Sequence, residues 1–448
     1  MPHRHPTKRK TPAVRRGEYA VWMVVGTLVM VSVLGLVGYW GFQRIGDIRP
    51  ALSQPDENFA ELIRQSGNSS SSNADGNTVP VPDGTTTENV QNSPITLPEG
   101  FTIQVAQTGL SQPRDLLVSP ENILLFSDKG SGEVKAMPLP AEIGSDTDFG
   151  AAKTLVSGLD VPHGLALSPD GQTLLVTEET ALMRYDWNAA ELTLTNGRKI
   201  LDMPAGGRHT TRSLVVTENG EVFISLGSSC DTCFEDSEWL AAVVKTDLDG
   251  NSPVVYATGL RNAVFMTQHP QTNDIWVTEM GRDFLGDNLP PDEINVLQAN
   301  GNYGWPVCYG NQVYDEQFGQ RSPEYCADTI APVFKIQAHS APLGLTFIQS
   351  EQFPEEWQGD LLVAYHGSWN RTVPVGYKIV RLEVGEDNTS VTSEQDFLTG
   401  FLQDRTAFGR PVDVEFDQNG HLYISDDKSG AIYVVRNTAQ PQADESAE

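Results

Sequence analysis

Between Gly100 and Arg436 the chain repeats a single pattern of apolar and polar positions. An outer apolar run ends in a Gly- or Pro-marked turn, a polar residue follows, and then come an alternating strand, a hairpin turn and a second alternating strand. The repeats open at GLSQPRDLLVSP (109–120), GLDVPHGLALSPDG (158–171), GGRHTTRSLVVTENG (206–220), GLRNAVFMTQHP (259–270), AHSAPLGLTFIQ (338–349) and FGRPVDVEFDQNG (408–420). Each is followed by a second strand, from ILLFSDKG (123–130) in the first unit to HLYISDDK (421–428) in the last, and a third strand follows in most. Six units of three to four strands predict an all-β six-bladed propeller over residues 99–437. Five runs, among them KTLVSGL and EQDFLTGF, precede repeat openings and would be the outermost strands of the blades before them. The last blade has no such run after it, whereas the first repeat has FTIQVAQ before it. Phe101–Gln107 is therefore expected to close the ring as the outer strand of the last blade, removing its open edge.

The pattern is different at the N-terminus. Ala20–Phe42 is a continuous apolar stretch, and no charge occurs from Tyr19 to Gln43. That length suits about 30 Å of hydrocarbon, and aromatic residues lie near both ends. Arg4, Lys8, Arg9, Lys10, Arg15 and Arg16 precede it, so the positive-inside rule places residues 1–19 in the cytoplasm and the propeller outside, on a single-pass membrane anchor. A cleaved signal peptide is the alternative, against which stand the length of the run and the lack of a small-residue cleavage site. Residues 43–98, rich in Ser, Asn, Gly and Thr, read as a flexible linker, and residues 438–448 as a disordered tail.

Charge sharpens this reading. The net formal charge is −29, and with the basic N-terminus set aside the rest carries −35. Nucleic acid is thereby excluded as a partner, and an anionic ligand would have to be held by local cations. Four cysteines in an oxidising setting predict disulfides, Cys308 with Cys326 and a loop bridge in CDTC (Cys230, Cys233), with a redox or metal motif as the alternative for the latter.

Residues entering the innermost strands should line one mouth of the central channel. These are Arg114, His163, His209 with Arg212, Arg261 with Asn262, His339, and Arg410 with Asp413. A basic group in phase in all six units points to an anion pocket. A second cluster, Glu279–Trp305, places Asp283, Asp287, Asp292 and Glu293 in a Gly/Pro-rich loop, either as calcium ligands or as a solvated acidic loop.

GLRN (259–262), PPDEIN and GNYGWP (290–306), HGSWNR with GYK (366–378), and GRPVDVEF with SDDKSGAIY (409–433) resemble the glucose/sorbosone dehydrogenase family of pyrroloquinoline quinone (PQQ) propellers, in particular its sorbosone dehydrogenase-like branch. The resemblance implies PQQ- and Ca²⁺-dependent oxidation of a sugar or related alcohol or aldehyde. His209 would be the general base and Arg261 its catalytic partner. Arg114, His163, Arg212, Asn262, His339, Arg371 and Arg410 would hold the cofactor, and Gly281, Arg282, Asp292 and Glu293 the calcium. Electrons would pass to a membrane-associated acceptor. Arg208 stands where the glucose branch has an acidic residue, Val412 where that branch has a second arginine, and Arg371 takes the place assigned to its fifth-blade lysine. A non-catalytic binding propeller and a calcium-dependent lactonase remain the alternatives.

Overall fold

The computed structural model describes Ala60, Ile63, residues 94–205 and residues 207–438, all in the second of the two units into which the chain divides, Met1–Asp47 and Ile48–Glu448. Six antiparallel sheets form the ring. From the axis outward, blade one is Pro113–Val118, Ile123–Asp128, Glu133–Pro138 and Lys153–Ser157, and blade two starts at Leu165–Leu167. Blade three is Arg212–Val216, Glu221–Leu226, Ala242–Asp247 and Val254–Thr258, extended by the parallel pair Gly301–Asn302. Blade four starts at Met266–Gln268 and blade five at Pro342–Phe347. Blade six is Pro411–Phe416, Leu422–Asp426 and Ala431–Asn437, completed by Phe101–Gln107 from the other end of the chain.

That closure runs from Phe101 opposite Asn437 to Gln107 opposite Ile432. Thr438 continues it, its N–H donating to Gly100 O at 2.7 Å. Phe101 inserts among Phe353, Phe397 and Trp357, at ring-centroid distances of 4.8, 5.5 and 6.1 Å, so the strand is held by aromatic packing as well as by its ladder.

The second strands are buried on both faces, which is why they read as continuous apolar runs such as ILLF and LYI. Apolar clusters lie between successive blades, for example Leu125, Val134, Leu174 and Val176 between blades one and two. Toward the axis, polar groups stitch neighbouring blades together. Thr177, Thr278 and Ser425 donate hydroxyl bonds of 2.5, 2.8 and 2.6 Å to the carbonyls of Arg212, Leu343 and Arg114. Asp413 accepts from Leu116 N–H at 2.8 Å and Asp115 from Leu165 N–H at 3.0 Å. These bonds satisfy buried backbone groups that no ladder reaches.

Both expected disulfides are present, Cys230–Cys233 and Cys308–Cys326. The linker expectation is corrected at its described positions. Ala60 and Ile63 have helical backbone and are 1% exposed, packed with Ile95, Leu97 and Phe101 against blades five and six. Their apolar side chains, three apart, outweigh the polar composition around them. Thr96 also bridges to Thr399. The segments expected as a cytoplasmic tail (1–19) and a membrane anchor (20–42), with residues 439–448, lie outside the described residues, among which no helix is long and apolar enough to cross a membrane.

Candidate functional site

A cavity of about 260 Å³ is walled by residues at the starts of the inner strands and by loops from blades three to six. Its lining includes three arginines, Arg208, Arg261 and Arg410, and three histidines, His209, His339 and His366. Asn262, Met280, Gly281, Asp283, Asp292, Trp369 and Asn370 complete most of the wall.

His209 sits just before the inner strand of blade three, and Arg212 fixes its backbone. The Arg212 side chain is fully buried and donates to the carbonyls of His209 (2.8 Å), Thr211 (3.1 Å), Pro204 (3.1 Å) and Glu179 (3.2 Å). Gly227 lies against the ring; a Cβ there would stand 2.6 Å from His209 Cβ and 2.7 Å from Asn262 Oδ1. His209 Nδ1 lies 2.9 Å from Ser228 O and 3.0 Å from Ser228 Oγ. A carbonyl only accepts, so Nδ1 carries the proton and Nε2 holds the lone pair. Burial, reinforced by the Arg261 charge, pulls this imidazole down to about 3, so it is neutral at physiological pH.

Arg261 is buried and tied at every edge. It donates to Asp231 O (3.1 Å), Asp231 Oδ1 (2.7 Å), Asp283 Oδ2 (3.2 Å) and Met280 O (3.3 Å). Asp283 also receives Arg208 at 2.5 Å and Asn370 Nδ2 at 2.8 Å. Burial raises the Asp283 carboxyl. For Asp231 burial acts upward too, but the Asp283 N–H and the Arg261 charge outweigh it and hold the carboxyl below the usual range. Asn262 is anchored through its backbone N–H to both oxygens of Glu279 at 3.2 Å.

Arg410 differs from the other two arginines. Its guanidinium donates to the carbonyls of His366 (3.0 Å) and Gly367 (2.7 Å), with the Tyr377 ring 5.6 Å away, and among the described residues no carboxylate pairs with that guanidinium; its backbone N–H donates to Asp426 Oδ1 at 2.9 Å. His366 donates Nε2–H to Asp427 Oδ1 at 2.8 Å, and Asp427 Oδ2 meets Arg114 Nη1 at 2.7 Å. Burial and the Arg410 charge pull His366 down to about 4. Burial alone would raise Asp427, but His366 and Arg114 hold it below the usual carboxylate range.

The structure thus gathers His209, Arg261, Asn262, His339 and Arg410 around one cavity, with Gly281 and Asp292. It corrects the basic ring elsewhere. Arg114 and Arg212 point their donors at Asp427 and at carbonyls, and neither lines the cavity. His163 is fully buried, bonded to Arg212 O at 3.1 Å and packed on Phe265 at 5.0 Å. Arg371 is turned to Asp287 O, Ala338 O and Asn288 Oδ1, and from its motif it is His366 that reaches the wall, beside His339 of the same blade. The ring is also less bare than composition implied, because Asp231, Asp283 and Asp427 already pair with its cations. Asp231 and Asp427 arrive on loops of other blades than the arginines they meet, and Asp283 on the loop after the second strand of blade four, a pairing that no repeat pattern signals; for His366 and Trp369, the HGSWNR motif was the available sign.

The four residues expected at calcium divide between two cavities. Asp292 lines the main one, but its oxygens accept from Gly281 N–H (3.0 Å) and Ala341 N–H (2.9 Å), as an interblade staple. Burial raises it to about 6. Arg282 and Glu293 line a smaller void of about 20 Å³, with Gly281 bordering both. The Arg282 side chain pairs with Asp315 at 2.7 Å. Glu293 lies opposite Glu279 across adjacent strands, and both buried carboxyls border this void. Burial lifts Glu293 to about 7 and, together with Glu293, raises Glu279 well above its ordinary value.

Residues 95–438 match the TrAA12-like family model, and the chain belongs to that family. A pyrroloquinoline quinone-dependent sugar dehydrogenase of Hypocrea jecorina is 25% identical over 414 residues, covering 79% of this chain and 92% of that protein. An uncharacterized protein of Borreliella burgdorferi is 34% identical over 230 residues, covering 51% of this chain and 60% of that protein, so the match takes in less than two thirds of its length. The calcium structure of the Trichoderma reesei family AA12 protein superposes with a TM-score of 0.68 at 24% identity, covering 77% of this chain and 97% of that one.

Proposed function

We propose that the propeller is a PQQ-dependent oxidoreductase that converts a sugar, or a related alcohol or aldehyde, with His209 as general base. The observation that carries this reading is the His209 tautomer, with Nδ1–H bonded to Ser228 O and Nε2 unprotonated in a residue that lines the cavity beside Arg261. An imidazole held neutral is ready to accept the proton of a substrate hydroxyl. The relative from Hypocrea jecorina, named as a PQQ-dependent sugar dehydrogenase and covered over 92% of its length, supports the same chemistry.

The donor set fits a polycarboxylate quinone. Arg410, whose guanidinium bonds go to neutral carbonyls, is a half-buried cation suited to a ligand carboxylate, and Arg208, Asn262 and His339 add polar groups to the same wall. Asn370 Oδ1 is buried without a partner while its Nδ2 is fixed on Asp283, the mark of a wall whose polar groups are not all satisfied by protein. When bound, PQQ supplies a two-electron acceptor for the hydride of the substrate carbon. His209 Nε2 takes the hydroxyl proton, Arg261 is held by Asp231 and Asp283 as a fixed positive charge beside it, and the wall limits water.

Calcium is part of the proposal, seated toward Glu279, Glu293 and the backbone of Gly281 and Arg282, where two buried carboxyls border one void and neither forms an ion pair among the described residues. Segment 20–42 is proposed to anchor the enzyme with its propeller outside the cytoplasm, near a membrane-associated electron acceptor; the two disulfides support an oxidising compartment. Purified propeller given PQQ and Ca²⁺ should reduce an artificial dye with at least one aldose. Absence of turnover over a broad sugar panel, with no PQQ binding, contradicts the reading.

A further inference from the structure

We propose that the disulfide-closed loop Cys230–Cys233 is the positioning element of the site, fixing both the tautomer of His209 and the seat of Arg261. The proposal rests on the reading of His209 as the base. The loop follows the strand Glu221–Leu226, whose end carries Gly227 and Ser228 past the imidazole. Ser228 Oγ donates to Cys230 O at 2.7 Å. With its only hydrogen committed there, Ser228 Oγ can meet His209 Nδ1 only as an acceptor, as Ser228 O also must. Both contacts therefore select Nδ1–H, and the carbonyl of Cys230 is what leaves the hydroxyl no other role.

The next residue holds the arginine. Asp231 O accepts from Arg261 Nε at 3.1 Å and from Trp305 Nε1 at 3.1 Å. Asp231 Oδ1 accepts from Arg261 Nη2 at 2.7 Å and from Asp283 N–H at 2.9 Å. Two parallel bonds to one guanidinium fix its plane as well as its place. Glu235 ties down the other side of the loop, with Oε1 2.8 Å from Ser229 N and Oε2 2.6 Å from Ser229 Oγ. The carbonyls of Cys230 and Asp231 are neighbours inside a ring closed by one covalent bond, so opening that bond frees both at once. The groups that act on His209 electrostatically are Arg261, Arg208 and Asp231, and two of those three belong to the same assembly.

The test is the Cys230→Ser/Cys233→Ser double variant, compared with wild type in two readouts. In ligand-free protein, ¹⁵N imidazole shifts report the His209 tautomer; wild type should show Nδ1–H alone and the variant a mixture with Nε2–H. In protein loaded with PQQ and Ca²⁺, kcat should fall at least about 10-fold with KM for the sugar little changed, since a wrong-tautomer imidazole loses its acceptor, and the acid limb of the pH–kcat profile should move upward, since Arg261, whose charge holds the imidazole down, loses its seat. If the double variant does not fold, Ser228→Ala, which removes one of the two acceptors on Nδ1 and leaves Ser228 O and the disulfide intact, should raise the Nε2–H population detectably and lower kcat by a smaller factor. A folded variant with wild-type tautomer, kcat and pH profile overturns the proposal. A tautomer shift in a protein that oxidises no sugar even as wild type upholds the loop's role and removes the proposed activity instead.

Discussion

Replacing Arg212 by methionine should destabilise the propeller strongly, although Arg212, fully buried, lines neither of the two cavities described above. The guanidinium donates four bonds to carbonyls, of His209, Thr211, Pro204 and Glu179, within 3.2 Å. Hydrogen bonds from a charged donor contribute about 1.5–3 kcal/mol each, a gross of about 6–12 kcal/mol. Burying the guanidinium offsets several kcal/mol of this. Methionine fills much of the volume but leaves the four acceptors unpaired, so the expected net loss is about 3–5 kcal/mol, as for breaking other buried charge networks. The assay is guanidinium unfolding followed by tryptophan fluorescence, read as a lower midpoint at unchanged slope. Lysine at this position, with a compact head in place of the planar fork, should recover only part of the loss. A loss below about 1 kcal/mol would mean that the carbonyls find other partners and that the loop carrying His209 is not held as described.

Other expectations follow from the same geometry. His209→Gln should lower kcat by about 10²–10⁴ while PQQ still binds in an absorbance titration, because the side chain acts on the proton and not on the cofactor. In wild type the acid limb of kcat/KM should fall well below the ordinary histidine value of about 6.5, since burial and Arg261 hold His209 near 3; the imidazole charges only as pH drops through the folded value, and an acid limb at 6.5 would contradict this. Arg410→Ala should weaken PQQ binding at least about 10-fold, whereas Arg371→Ala should leave PQQ affinity within about 3-fold of wild type, because Arg371 is bonded to Asp287, Ala338 and Asn288 outside the cavity. Calcium affinity, measured by calorimetry, should rise as pH increases through about 7: burial keeps Glu293 protonated below that value, and an entering cation must displace the proton. Glu293→Gln should abolish both that pH dependence and most of the binding.

The ring was legible because each blade repeats the same alternation, and its closure because one apolar run, Phe101–Gln107, had no other place to pair. Which basic residues reach the cavity was only partly legible. Arg114, His163 and Arg212 occupy the same phase as His209 and Arg261, yet they turn to Asp427, to Phe265 and to carbonyls. Phase along the chain sets where a residue enters the channel, whereas its direction is set by acceptors contributed by other blades. Arg114 and Asp427, 313 positions apart in sequence, illustrate that partnership. The same limit concealed Asp231 and the arginine partners of Asp283, which its acidic loop marked only as a calcium ligand or a solvated carboxylate. Ala60 and Ile63 escaped notice for a different reason, since two apolar side chains in a polar stretch carry little weight until the surface they cover is known.

A PQQ site between Arg410 and His209 is decided by titrating the ligand-free propeller with PQQ in the presence of Ca²⁺. A saturable change in cofactor absorbance at one PQQ per chain is expected, lost in Arg410→Ala and retained in His209→Gln. No saturable binding, or binding indifferent to Arg410, would contradict it.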